Sequence, residues 1–221
     1  MARPLLSRRC AGLIASAVVA LAAAATPAHA QAWFYPSFQA PRVTDRDYTF
    51  AVAGGSGTTA LFQWREGISP ITQLSLDAGI GDPDNDEDAV IFVGGQYARQ
   101  LTRESQEMPL ALLFTIGANA AFGGGVDAIV RIPVGLSVGH RFPLENGMSV
   151  TPYVHPRLSV DVCAGCPEGA DDTELNVDFD LGASFQLTQQ IALRGSILFS
   201  GASDDTGLGI GLTWTPAGVR R

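Results

Sequence analysis

The sequence predicts an all-β fold: a closed, antiparallel, up-and-down transmembrane β-barrel of about ten strands, with eight as the alternative. Three observations carry that reading. The chain opens on a leader with a small-residue cleavage motif, its remainder alternates between apolar and polar residues with a period of two, and no later stretch offers eighteen consecutive apolar residues for a helical span.

The leader comes first. Arg3, Arg8 and Arg9 precede an apolar run from Ala11 to Ala25, and Ala28-His29-Ala30 supplies the Ala-x-Ala site, so residues 1–30 read as a signal peptide cut before Gln31. The apolar run is short for a membrane anchor and stops at Thr26-Pro27. Cys10 lies inside it, with neighbours unlike those of a lipoprotein acceptor. Losing three arginines takes the formal net charge from −8 to −11, and the chain has no lysine. Such an acidic protein is poorly suited to nucleic acid, and no nucleic-acid partner is expected.

Residues 31–46 form an aromatic-rich N-terminal segment with Trp33, Phe34, Tyr35 and Phe38. It serves either as an interfacial anchor or as a plug inside the barrel, and the sequence leaves both open. Residues 47–215 are the barrel and residues 216–221 a tail.

Alternation is clearest near the C-terminus. Leu175, Val177, Phe179, Leu181, Phe185 and Leu187 share one face, while Asn176, Asp178, Asp180, Ser184 and Gln186 fall on the other. The next strands set Ile191, Leu193, Ile197 and Phe199 against Ala192, Arg194, Ser196 and Ser200, then Leu208, Ile210, Leu212 and Trp214 against Gly207, Gly209, Gly211 and Thr213. Upstream, Val130, Ile132 and Val134 alternate with Arg131 and Gly135, and Val154, Leu158 and Val160 with His155, Arg157 and Asp161. Weaker members cover 48–54, 58–65, 72–80, 89–99 and 110–121. Pro133, Pro152 and Pro156 interrupt assigned strands, each removing a ladder donor.

A soluble β-sandwich would also alternate, so the loops are informative. Alternate connections at 81–88, 123–127, 161–173 and 201–206 are acidic, whereas the opposite set, 66–71, 100–109, 142–147 and 187–190, has a different chemistry. Trp64, Tyr97 and Trp214 stand near strand ends on the apolar face, where an aromatic belt belongs.

With the leader, the alternation and phrases such as Phe185-Gln186-Leu187-Thr188-Gln189-Gln190-Ile191-Ala192-Leu193-Arg194-Gly195, the chain resembles the small bacterial outer-membrane β-barrel superfamily, the OmpA- or OmpW-like barrels. The resemblance implies residence in the cell outer membrane among lipid and lipopolysaccharide, and insertion by the barrel-assembly machinery. It also implies a structural role, with a narrow passive pore for small solutes as its extension. Barrels of this kind often end on an aromatic residue, whereas here Trp214 is followed by residues 215–221.

If the apolar face meets lipid, the polar face encloses a lumen containing Arg65, Arg131, Arg157 and Arg194, with Asp77, Asp161, Asp178 and Asp180, and His155 among them. Unpaired buried charge is costly, so these matched numbers predict a cross-lumen network. The turn Glu145-Asn146-Gly147 sharpens this. A three-residue loop with Gly147 left-handed pairs Leu144 with Met148, and places Arg131 opposite Asp161, Gly135 opposite Arg157 and Gly139 opposite Tyr153. About ten strands enclose a lumen that side chains can fill, so a packed interior is favoured over a solute path. Gly207, Gly209 and Gly211 leave space on one wall, for a path or for a bulky side chain.

Other chemistry finds little support. Asp82, Asp84 and Asp86 have the opening spacing of a calcium loop, but Glu87 replaces the turn glycine and Val93 the bidentate glutamate, so no metal site is expected. Cys163 and Cys166 lie in one loop of an exported chain and read as a local disulfide. His140 and His155 lack a neighbouring nucleophile motif, so neither a barrel protease nor a lipid deacylase is expected, and no cofactor is implied. The competing class is a surface-interaction, adhesin-like barrel acting through its acidic extracellular loops.

Overall fold

The computed structural model describes residues 35–55, 57–83, 88–106, 108–123, 126–165, 173–201 and 206–218. The leader, Trp33, Phe34, Cys166 and much of the acidic loops lie outside the described residues.

Period-two alternation becomes strands throughout. In chain order they are β1 (Arg46–Gly54), β2 (Gly57–Ser69), β3 (Thr72–Pro83), β4 (Val90–Thr102), β5 (Ala111–Gly123), β6 (Val126–Gly139), the two-residue β7 (Phe142–Pro143), β8 (Ser149–Ala164), β9 (Thr173–Gln186), β10 (Ile191–Ser200) and β11 (Thr206–Trp214). Each long strand pairs antiparallel with the next, and β11 returns to β1, setting Tyr48 opposite Trp214 and Gly54 opposite Leu208. The result is a closed ten-stranded barrel, with β7 continuing the β6 edge along β8. Closure removes every sheet edge.

Inside and outside are inverted relative to a water-soluble protein. On β11, Leu208, Ile210, Leu212 and Trp214 face out while Gly207, Gly209 and Thr213 are turned in; on β9, Leu175, Val177 and Leu181 face out while Asn176, Asp178 and Asp180 are buried. Trp64, Tyr48 and Trp214 lie side by side on the outer face across β2, β1 and β11, and the Tyr48 and Trp214 rings stack at 5.6 Å. Tyr48 joins the aromatic belt that Trp64 and Trp214 suggest.

The β6–β8 hairpin has the register of a three-residue loop. Leu144 N–H donates to the Met148 carbonyl at 2.9 Å, and Arg131, Gly135 and Gly139 stand opposite Asp161, Arg157 and Tyr153. Both Asn146 (φ 59°) and Gly147 (φ 76°) are left-handed, so the turn uses two such positions where one was expected.

The in-strand prolines create gaps in the ladder without shifting register. Pairing of β5 with β6 lapses between Ile116↔Val134 and Asn119↔Arg131, on either side of Pro133, and pairing of β6 with β8 lapses between Gly135↔Arg157 and Val138↔Val154, on either side of Pro156. The missing N–H costs local hydrogen bonds, and the flanking pairs hold the frame.

The interior is filled by alternating large and absent side chains. Tyr153 is opposed by glycine on both sides, Gly139 on β6 and Gly182 on β9, and a Cβ at Gly182 would run into its ring. Gly182→Val should therefore cost about 1–3 kcal/mol through overpacking, measured by denaturant unfolding. Adding Tyr153→Ser should recover part of that loss; equal stability of Gly182→Val and the unaltered chain would show that the ring needs no such space.

Candidate functional site in the barrel lumen

The lumen is built from inward positions two residues apart on each strand, so its charges sit at fixed heights and meet across neighbouring walls. Three clusters result.

In the first, Arg131 of β6 grips Asp161 of β8 through both ends of its guanidinium, Nε to Oδ1 at 2.8 Å and Nη2 to Oδ2 at 2.5 Å. Its Nη1 reaches Asp178 of β9 at 3.4 Å. Asn176 Nδ2 and Ser200 Oγ donate to Asp161 and Asp178, filling further lone pairs.

In the second, Asp180 of β9 accepts from Arg157 at 3.3 Å and from Ser37 Oγ at 2.6 Å, with His155 Nδ1 3.5 Å away. Ser37 Oγ also lies 2.8 Å from His155 Nδ1, and Thr115 Oγ1 lies 3.0 Å from His155 Nε2. Both ring nitrogens are thus engaged, and His155 itself is wholly buried.

In the third, Arg194 of β10 donates to Asp47 of β1 at 2.7 Å and to Thr49 Oγ1 at 3.2 Å, while Arg65 of β2 stands 3.7 Å from the other Asp47 oxygen. Asp47 is the carboxylate that the sequence reading missed. It precedes the legible part of β1, yet it shares the parity of Thr49, Ala51 and Ala53, which is the signal that would have found it.

Asp77 on β3 faces the same interior but makes no ion pair of this kind among the described residues, and its Oδ1 lacks a hydrogen-bond partner. It borders a cavity of about 30 Å³ lined also by Tyr35, Gln63, Arg65, Asn119, Arg131 and Arg157. That volume suits one or two waters. Cys163 lies near the end of β8, and its expected partner Cys166 lies outside the described residues. His140 sits away from this network, 3.9 Å from Glu104.

Residues 35–45 run into the lumen, and side chains of five strands hold their backbone. Arg65 donates to the Ser37 and Phe38 carbonyls at 3.1 and 3.2 Å, Gln63 to the Ser37 carbonyl at 3.3 Å, and Ser137 to the Gln39 carbonyl at 2.6 Å. Gln100 donates to the Pro41 carbonyl at 2.8 Å and accepts from Val43 N–H at 3.1 Å, and Gln73 accepts from Thr44 N–H at 3.0 Å. Asp180 accepts from Ser37 N–H at 3.4 Å.

Two rings pin the segment. Tyr35 stacks on the inward ring of Phe92 at 4.8 Å. Phe38 is fully buried above Gly209, where a Cβ would stand 2.6 Å from its ring. The space on the Gly207-Gly209-Gly211 wall is therefore a seat for a bulky side chain. Phe38 holds a left-handed backbone (φ 50°), costing about 1–2 kcal/mol for a residue with a side chain, which its surroundings must offset. Around these rings lies an apolar layer of the interior: Ala51, Leu61, Val90, Phe92, Ala121 and Ile129.

No protein-family model matches the chain, and no curated protein matches it. Among solved structures, it is similar to a bacterial polysaccharide outer-membrane secretin (8% identity, 79% of this chain and 67% of that one, TM-score 0.48). It is also similar to the KdgM porin (6% identity, 77% and 99%, TM-score 0.40) and to the outer-membrane protein Omp33 of Acinetobacter baumannii (10% identity, 78% and 100%, TM-score 0.32). The closed ten-stranded architecture of this chain rests on its own strand pairing.

Arg131 is the hub of the first cluster, and its loss leaves the buried Asp178 and the partly buried Asp161 without their shared counter-charge. Arg131→Met should destabilise the barrel by about 3–5 kcal/mol, read from unfolding midpoints in detergent. Adding Asp161→Asn and Asp178→Asn should recover much of it. A neutral single substitution would show that solvent, rather than Arg131, compensates these carboxylates.

Proposed function

We propose that this chain is a structural outer-membrane β-barrel of the OmpA- or OmpW-like kind, whose lumen is closed to solutes by its own N-terminal segment. The observation that carries the closed state is the placement of residues 35–45 inside the barrel, with Phe38 wholly buried and the backbone of the segment held by side chains of the wall. A narrow passive path then exists only when the segment leaves. The burial of Ser37, His155 and Asp180 in one hydrogen-bonded cluster supports a structural role for them over hydrolysis, and no cofactor enters this reading.

Membrane residence is supported by the outer face. Phe50, Val52, Leu76, Ile80, Ile91, Leu158, Leu175 and Leu208 are all about half exposed or more, on strands around the whole circumference. A water-soluble monomer rarely exposes apolar patches beyond a few hundred Å², whereas lipid covers such a surface at no cost. In this reading the signal peptide exports the chain, the barrel-assembly machinery inserts it among lipid and lipopolysaccharide, and Cys163 and Cys166 close a disulfide.

Two measurements test it. In planar bilayers residues 31–221 should be silent, and the Tyr35→Ala/Phe38→Ala chain should show brief single-channel steps; sustained steps from the unaltered protein would remove the closed-lumen reading. Leu76→Arg, in mid-strand on the outer face, should cost about 2–4 kcal/mol in lipid vesicles if it lies at the bilayer midplane. An unchanged unfolding midpoint would mean that hydrocarbon does not cover this face.

A further inference from the structure

We infer that the lumen is a binding site for a short, bent polypeptide segment, filled in cis by residues 35–45 and able to take such a segment in trans. The inference stands on the geometry of the plug and does not require that the barrel conduct.

The first support is what the lumen reads. Arg65, Gln63, Ser137 and Gln100 donate to backbone carbonyls of the segment, while Gln100, Gln73 and Asp180 accept from its backbone N–H groups. Gln100 uses both ends of one amide on Pro41 and Val43. Bonds to the backbone do not depend on side-chain identity, so any peptide that can follow the same bent path, left-handed at the place of Phe38, can make them, and side-chain pockets then give selectivity.

The second support is a pair of seats that select the occupant. Gly209 leaves room for the Phe38 ring, and Phe92 offers its face to Tyr35. The ligand class is therefore a peptide with two aromatic rings three residues apart that can bend as residues 35–45 do. Between them the segment needs a small hydroxyl side chain to fit beside His155 and Asp180, the place held by Ser37.

The third support is the strand layout. The barrel closes through β1 and β11, downstream of the segment, so the segment contributes no strand to the wall. It occupies the lumen as a ligand does, tethered to β1.

The test uses the full mature chain carrying Tyr35→Ala and Phe38→Ala, which weakens the cis occupant, and a fluorescent peptide of residues 35–45 added in detergent. Saturable binding is expected, at least tenfold tighter than for the same peptide with both rings replaced by alanine. The unaltered chain, its seats already filled, should bind the peptide at least tenfold more weakly. Adding Gly209→Ala should cut capture at least tenfold without harming the barrel, because the nearest neighbour of the new Cβ is the Phe38 ring already removed.

Heat-modifiable gel mobility verifies that each variant is a folded barrel. Equal binding of the native and ring-free peptides by the folded double variant would overturn the inference. So would capture unaffected by Gly209→Ala. Peptide capture is read in detergent and conduction in bilayers, so failure here leaves the closed-barrel reading standing, and steps from the unaltered protein leave this inference standing.

Discussion

The whole structure depends on one constraint: charge enclosed by the barrel has to be neutralised inside it. Taking a guanidinium or a carboxylate out of water costs several kcal/mol unless a counter-charge and hydrogen bonds replace the solvent. Here the replacements come from neighbouring walls, Arg131 to Asp161 and Asp178, Arg157 to Asp180, and Arg194 and Arg65 to Asp47. Such pairing fixes register. A one-residue slip of β6 would aim Arg131 outward and Ile132 inward, removing a compensating charge and wasting an apolar face in the same step. Charge compensation and the apolar exterior thus select the same arrangement.

Volume imposes a second constraint that the charges do not meet. Tyr153 lies between Gly139 and Gly182, Phe92 presses on Gly79, and the Phe38 ring covers Gly209. Each is a large side chain beside a missing one. The last pair differs in kind, because its large member comes from outside the sheet. Ten strands leave more room than their own inward side chains occupy on the β11 wall, and residues 35–45 take it up.

Much of this was legible because it is local or follows from a turn. Period two separates Leu175 from Asn176 and Leu208 from Gly209, and one three-residue loop at Glu145–Gly147 carries the register as far as Arg131 and Asp161. What was not legible has equally physical reasons. Asp47 stands beyond the clear alternation of β1, so its role as the counter-charge of Arg194 depended on a strand start that sequence fixes only loosely. Val90, Ile91, Phe92 and Val93 are apolar on both faces, and a two-sided apolar strand hides which face is inward; the interior apolar layer was lost there. Residues 35–45 have no periodicity at all. Their place is set by contacts with β2, β3, β4, β6, β8 and β9, and nothing within the segment announces those partners.

The balance of forces on that segment explains why its rings matter more than its many hydrogen bonds. Fixing the backbone of one residue costs about 1–2 kcal/mol, and a typical intramolecular hydrogen bond returns about 0.5–1.5 kcal/mol. The carbonyl and N–H contacts from Arg65, Gln63, Gln73, Gln100 and Ser137 therefore do little more than offset the order they require. Burying a large apolar side chain adds about 1.5–3 kcal/mol, so the rings of Tyr35 and Phe38 tip the balance toward occupancy. An aromatic pair seated on Phe92 and Gly209 thus decides whether this lumen is full, and Arg65 and Asp180 tie that occupancy to the charge network.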